Sequence, residues 1–180
     1  MGIADLRVLS GSTAVHSDMV VWNNDETAED AALQILNCMF GTIQFSKHIE
    51  KMTQEHKEMS AFWLNFAREN EKLLQESEFT PYEPNYLYPV IRAWDDREEI
   101  IGVYATNKVV SPDMGMQRSR LINATKQDAL YLSVKEAVTV NFRTWDARGR
   151  QVGEGTAALD PGIHELPVPR SGLIEITSVH

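Results

Sequence analysis

A single cysteine, Cys38, stands in the whole chain, so no intrachain disulfide braces the fold and a disulfide-stapled scaffold is excluded. Cys38 lies inside an apolar helical run, where a free thiol behaves as a small buried hydrophobe. Positive charge is also short: 17 Lys and Arg face 26 Asp and Glu, a formal net charge of −9. They form no basic cluster, so a phosphate backbone or an anionic membrane finds no electrostatic footprint. Neither nucleic acid nor membrane is expected as a partner. No apolar run is long enough for a membrane span, and MGIADLRVLS has no positively charged leader; a cytoplasmic location is expected. Asn123-Ala124-Thr125 fits a glycosylation sequon, which carries little weight without a secretory signal. Internal repeats and low-complexity tracts are absent, which sets aside solenoids and disordered tracts.

What remains is the composition of a globular protein. Of 180 residues 43% are hydrophobic and 24% charged, enough for one large domain or two small ones. The chain divides into two unlike parts. Residues 1–80 read as strand, helix, strand, helix. TAVHS is a short strand; NNDETAEDAALQILNCMF opens on polar cap residues and acids and continues apolar on nearly every face, as a buried helix does. GTIQFS is a second strand, and a long helix is expected over 53–77, with Met59, Phe62, Trp63, Phe66, Leu73 and Leu74 at three- and four-residue spacings. That stripe reads as a packing face.

EFTPYEPNYLYP, with its prolines and tyrosines, marks a boundary and a linker over 81–88. From 89 to 180 the period shortens to two. VIRAWDD, EIIGVYAT, LINAT, ALYLSV, AVTVNFRTWDA, RQVGEGTAAL, IHELPVP and GLIEITSVH are strand candidates separated by turn signals, which argues for a small antiparallel β-sandwich. Its rings, Trp94, Tyr104, Tyr131 and Trp145, lie on separate strands and read as core. The first part is an incomplete object. Alternating strands and helices are the grammar of a parallel α/β fold, but two strands cannot make a stable parallel sheet or hide a helix that is apolar all round. Other copies of the chain, or another part of a longer polypeptide, would supply the missing surface.

The sharpest candidate site is VHSDMVVW. In an extended strand residues i and i+2 share a face, so His16 and Asp18 would sit side by side, with Trp22 close behind. As chemistry, the pair offers a base oriented by a carboxylate, but Ser17 points the other way and no G-x-S-x-G motif is present. As a metal site it offers two ligands where zinc usually takes three or four, and no metal or cofactor is expected. Hydrogen bonding to sugar hydroxyls, with Trp22 as a stacking platform, is the functional reading; a strand-end pair packing a loop is the structural one. The neighbouring acids Asp25-Glu26 and Asp95-Asp96 read as a helix start and a turn.

The run from His16 to Pro89 carries a further signal. His16, Ser17, Asp18, Met19, Trp22, Glu26 and Thr27; then residues 31–37, Phe40, Gln44 and Ser46; then His56, Met59, Phe62, Trp63, Leu64, Phe66, Asn70, Phe79, Pro81, Pro84 and Tyr88-Pro89 follow an order and spacing that resemble the C-terminal third of α-galactosidase-like enzymes of glycoside hydrolase family 36. The resemblance covers roughly residues 5–125. It implies an α+β content made of the last two βα units of an incomplete (β/α)8 barrel, followed by the sandwich. On that reading TAVHS and GTIQFS are the last barrel strands, and His16 and Asp18 lie at the rim where such barrels keep their sites. Members are retaining glycosidases, which need two carboxyl groups about 5 Å apart. The family's aspartate pair would lie upstream of the matched piece, so the chain alone is expected to be inactive. The implied ligand is a terminal α-galactoside bound through the complete barrel. The implied partners are the rest of the glycosidase or other copies of the chain. The alternative is a stand-alone carbohydrate-binding or interaction module, or a subunit completing a barrel with a separately encoded part.

Overall fold

The structure, a computed structural model, describes residues 3–11, 13 and 15–179. Its first part runs α1 (Ile3–Ser10), β1 (His16–Val20), α2 (Ala28–Leu36), β2 (Thr42–Phe45), α3 (Gln54–Glu69) and α4 (Glu71–Gln75). The helix starts have local causes. Thr27 caps α2 by accepting from the Asp30 N–H, with Glu29 and Asp30 in the positive first turn, and Thr53 caps α3 by accepting from the His56 N–H. The single helix expected over 53–77 is two. At Asn70 the side-chain Nδ2 donates to the Phe66 carbonyl at 2.8 Å, competing with the helical ladder, and the backbone turns to φ −110° before α4 begins.

Ten strands follow: β3 (Glu78–Tyr82), β4 (Val90–Trp94), β5 (Glu98–Val103), β6 (Val109–Val110), β7 (Arg118–Asn123), β8 (Leu130–Val134), β9 (Val138–Trp145), β10 (Gln151–Leu159), β11 (Gly162–Leu166) and β12 (Leu173–Ser178). Seven form one sheet in the order β10-β9-β12-β7-β5-β4-β3, and three form another in the order β11-β8-β6. Residues 81–88, expected as a linker, hold the end of β3 and a 3-10 turn at Pro84–Tyr86. Pairing is antiparallel except at β5/β7 and β6/β8, which run parallel.

Strand alternation gives the large sheet two unlike faces. Ile101, Val103, Leu121, Val140, Ile174 and Ile176 point to one side and close a core with Val110, Leu130, Leu132 and Val134 of the small sheet. Ile91, Ala93, Ile100, Ile122 and Leu173 point to the other side, where Leu36, Phe40, Met59, Trp63 and Leu74 of the helical layer cover them. The protein is therefore three layers: helices, large sheet, small sheet.

That arrangement overturns the barrel. β1 and β2 pair in parallel, but only with each other, and no barrel exists among the described residues. The molecule is mainly β, 38% strand and 25% helix, a β-rich domain rather than the end of a (β/α)8 barrel followed by a separate small sandwich. The physical reason lies in what hides the helices. Their apolar side was expected to need other copies of the chain or another part of a longer polypeptide, and the face of the seven-stranded sheet supplies that surface instead. Among the described residues no helix is long and apolar enough to cross a membrane.

Candidate functional site

The register between β1 and β2 places the residues of VHSDMVVW. His16 pairs with Thr42 and Met19 with Gln44, so three steps on β1 match two on β2 and a bulge falls between. The exposed-buried alternation breaks at Met19, after His16 and Asp18. Both side chains are exposed, while Ser17 is buried and donates no face to them; its Oγ accepts from the Gln44 N–H at 2.9 Å. Asp18 Oδ1 accepts from the Met19 N–H at 2.8 Å. Among the described residues no hydrogen bond or ion pair joins His16 to Asp18. Trp22 turns inward: it is 6% exposed, with Phe45 at 5.6 Å and His56 at 5.8 Å between ring centroids. Its carbonyl accepts from Lys47 Nζ at 2.6 Å. The indole thus braces the strand end and offers no open ring face to a sugar. Among the described residues no group of three His, Cys, Asp or Glu could hold a metal ion.

A second polar surface lies on the large sheet, on the face the helices only partly cover. Cross-strand pairing sets Arg120, Glu175, Arg143 and Glu154 in one row across β7, β12, β9 and β10. In the neighbouring row Glu98 pairs with Arg118, Thr177 with Asn141 and Asn141 with Thr156. Arg120 is 7% exposed. Its charge is held by Glu98 at 3.0 Å, by Glu175 at 3.2 Å and by Asn70 Oδ1 at 2.7 Å, so each nitrogen of the fork has an oxygen beside it. Arg118 lies 3.5 Å from the same Glu175 oxygen and 3.9 Å from Glu98. Above this floor runs a groove of about 680 Å³ lined by Arg118, Asn141, Arg143, Glu154, Thr156 and Glu175 among others.

Glu99, one residue away but on the opposite face, is fully buried. Arg92 Nε and Ser119 Oγ each donate to it at 2.6 Å, and the Asp113 N–H donates at 2.7 Å. Three donors on one carboxylate make it a structural anchor for the 111–115 loop rather than a free acid. Sequence reasoning missed the groove because each strand contributes only a polar pair two residues apart: Arg118 and Arg120, Asn141 and Arg143, Glu154 and Thr156, Glu175 and Thr177. Such pairs mark the wet face of any strand. Only the strand order brings the four together.

No protein-family model matches the chain, and no curated protein matches it. Among solved structures it is similar to a Paenibacillus polymyxa xyloglucanase from glycoside hydrolase family 44, with 9% sequence identity and a TM-score of 0.38 over 97% of this chain and 33% of that one. The chain spans about a third of that protein's length, and at that TM-score the likeness carries no argument about fold or function.

Proposed function

We propose that the chain is a non-catalytic module of a cytoplasmic, retaining, α-galactosidase-like glycoside hydrolase. The nucleophile and the acid/base of that enzyme come from outside this chain, and the substrate is a terminal α-galactoside. His16 and Asp18, exposed on one short strand, serve as hydrogen-bonding contacts to sugar hydroxyls, and the rest of the glycosidase or other copies of the chain are the partners. One observation supports the reading: several apolar residues of the family resemblance pack against one another and against the sheet. Phe40 meets Phe79 at 6.0 Å, Trp63 lies 4.8 Å from Phe62 and 5.6 Å from Phe66, and Asn70 reaches Arg120 of the large sheet.

The carboxylates within the chain fit the non-catalytic role. Glu98 is held by Arg120 and lies near Arg118, and Glu99 is sealed by three donors, so neither of these two neighbours stands free as the nucleophile or acid of a retaining mechanism. The purified chain should leave an aryl α-galactoside intact. Hydrolysis that disappears in Glu98→Gln or Glu175→Gln would overturn the non-catalytic role. Translation in frame of the DNA upstream of the Met1 codon should continue into a segment that supplies an aspartate pair. An in-frame stop with no such segment beside it would overturn the glycosidase reading.

A further inference from the structure

We propose that the groove across β7, β12, β9 and β10 is a binding site for a short neutral oligosaccharide, separate from His16 and Asp18 and on a different sheet. The first support is unspent hydrogen-bonding capacity. Among the described residues Arg143 is exposed and makes no hydrogen bond or ion pair, so its five N–H donors face the groove's solvent unused. Asn141 Oδ1 accepts from Thr156 Oγ1 at 2.6 Å, which fixes the carboxamide and leaves both Nδ2 hydrogens to donate. Glu154 uses one oxygen on Gln151 Nε2 at 2.8 Å, and Glu175 directs only Oε2 at the arginines, so each keeps an oxygen that can accept.

The second support is charge balance. The lining carries two guanidinium groups, Arg118 and Arg143, and two carboxylates, Glu154 and Glu175. An anion drawn to the arginines would meet both acids, and a cation drawn to the acids would meet both arginines. A hydroxyl both donates and accepts, so it is satisfied beside either. Adjacent hydroxyls on a sugar ring match the flat forks of guanidinium, carboxamide and carboxylate, each of which offers two hydrogen-bonding atoms side by side.

The third support is rigidity. The groups stand on paired strands, and the floor is pinned by buried Arg120, so little order has to be created on binding. At about 680 Å³ the groove is in the size class of small-molecule sites.

The test is a titration of the full chain, followed by amide chemical shifts, with raffinose, galactotriose and cellotriose as neutral probes and trigalacturonate as the anionic one. At least one neutral probe should perturb amides of β9, β10 and β12 saturably, and trigalacturonate should bind there more weakly. Arg143→Ala and Asn141→Ala, both at exposed positions, should each weaken the neutral ligand about tenfold without changing the urea midpoint. His16→Ala should leave this binding unchanged. Stronger binding of trigalacturonate at the groove would overturn the neutral class, and no saturable shift there with any of the three neutral probes would overturn the site. Shifts confined to β1 and β2 would also remove it, while leaving the proposed glycosidase role standing.

Discussion

Two residues of β5 and its exit carry the contact between sheet and helices. Gly102 lies under Phe40: a Cβ built there would come 2.8 Å from the Phe40 ring and 2.9 Å from the Tyr104 ring. Both rings are packed, so Gly102→Ala should cost about 1–3 kcal/mol by overpacking, read as a lower urea midpoint at unchanged slope. Tyr104 donates its hydroxyl to the Leu36 carbonyl at 2.9 Å, and burial pushes the phenol up beyond the ordinary tyrosine range, with Cys38 adding a smaller push the same way. The folded state therefore favours the neutral phenol. Its contribution is complete below about pH 10, the ordinary tyrosine value, and is lost as pH rises towards the raised folded value. Tyr104→Phe should cost about 1 kcal/mol at neutral pH, and the gap between variant and parent should narrow in urea titrations near pH 11. A gap that stays constant across that range would show that the phenol does not carry this linkage.

Among the elements, the break between α3 and α4 is the least expected and the most consequential. Asn70 both caps α3, through Nδ2 on the Phe66 carbonyl, and gives Oδ1 to the buried guanidinium of Arg120. Asn70→Ala removes both at once and leaves a buried charge short of one acceptor. A loss of about 1–3 kcal/mol should follow, and Asn70→Asp should recover much of it by restoring an acceptor beside the cation. Thermal melts of the three proteins would settle whether the break is a built junction or an accident of propensity. The positions of strands were legible: each of the eight segments read from residue 89 onward contains a strand, because alternation and turn residues are local signals. β3 was hidden by Pro81 and read as boundary, and two-residue β6 was too short to show a period. The bulge in β1 could not be read along the chain for a related reason, since it shifts one strand against another and leaves no mark on either alone. Strand order is a property of distant pairs, so neither the seven-stranded sheet nor the groove that crosses four of its strands could be read along the chain.

At the scale of the whole molecule, the incomplete first part and the sheet turn out to need one another. One hydrophobic cluster contains Trp22, Ile35, Met59 and Trp63 from the first part together with Ile91, Ile100, Ile122 and Leu173 from the sheet. A second cluster lies between the two sheets, and strands β5, β7 and β12 contribute side chains to both. A strand whose two faces close two different cores cannot lose one partner layer without exposing the apolar face it covered. Helices and sheet should therefore unfold as one unit. Native-state hydrogen exchange offers the direct check, because it reads an opening free energy for each amide. The slowest amides of α3, of β7 and of β9 should share one free energy and the same dependence on added urea. If α3 opens at a lower free energy while β7 and β9 stay protected, the helical layer is a separately stable body resting on the sheet, and the shared core is not what holds the three layers together.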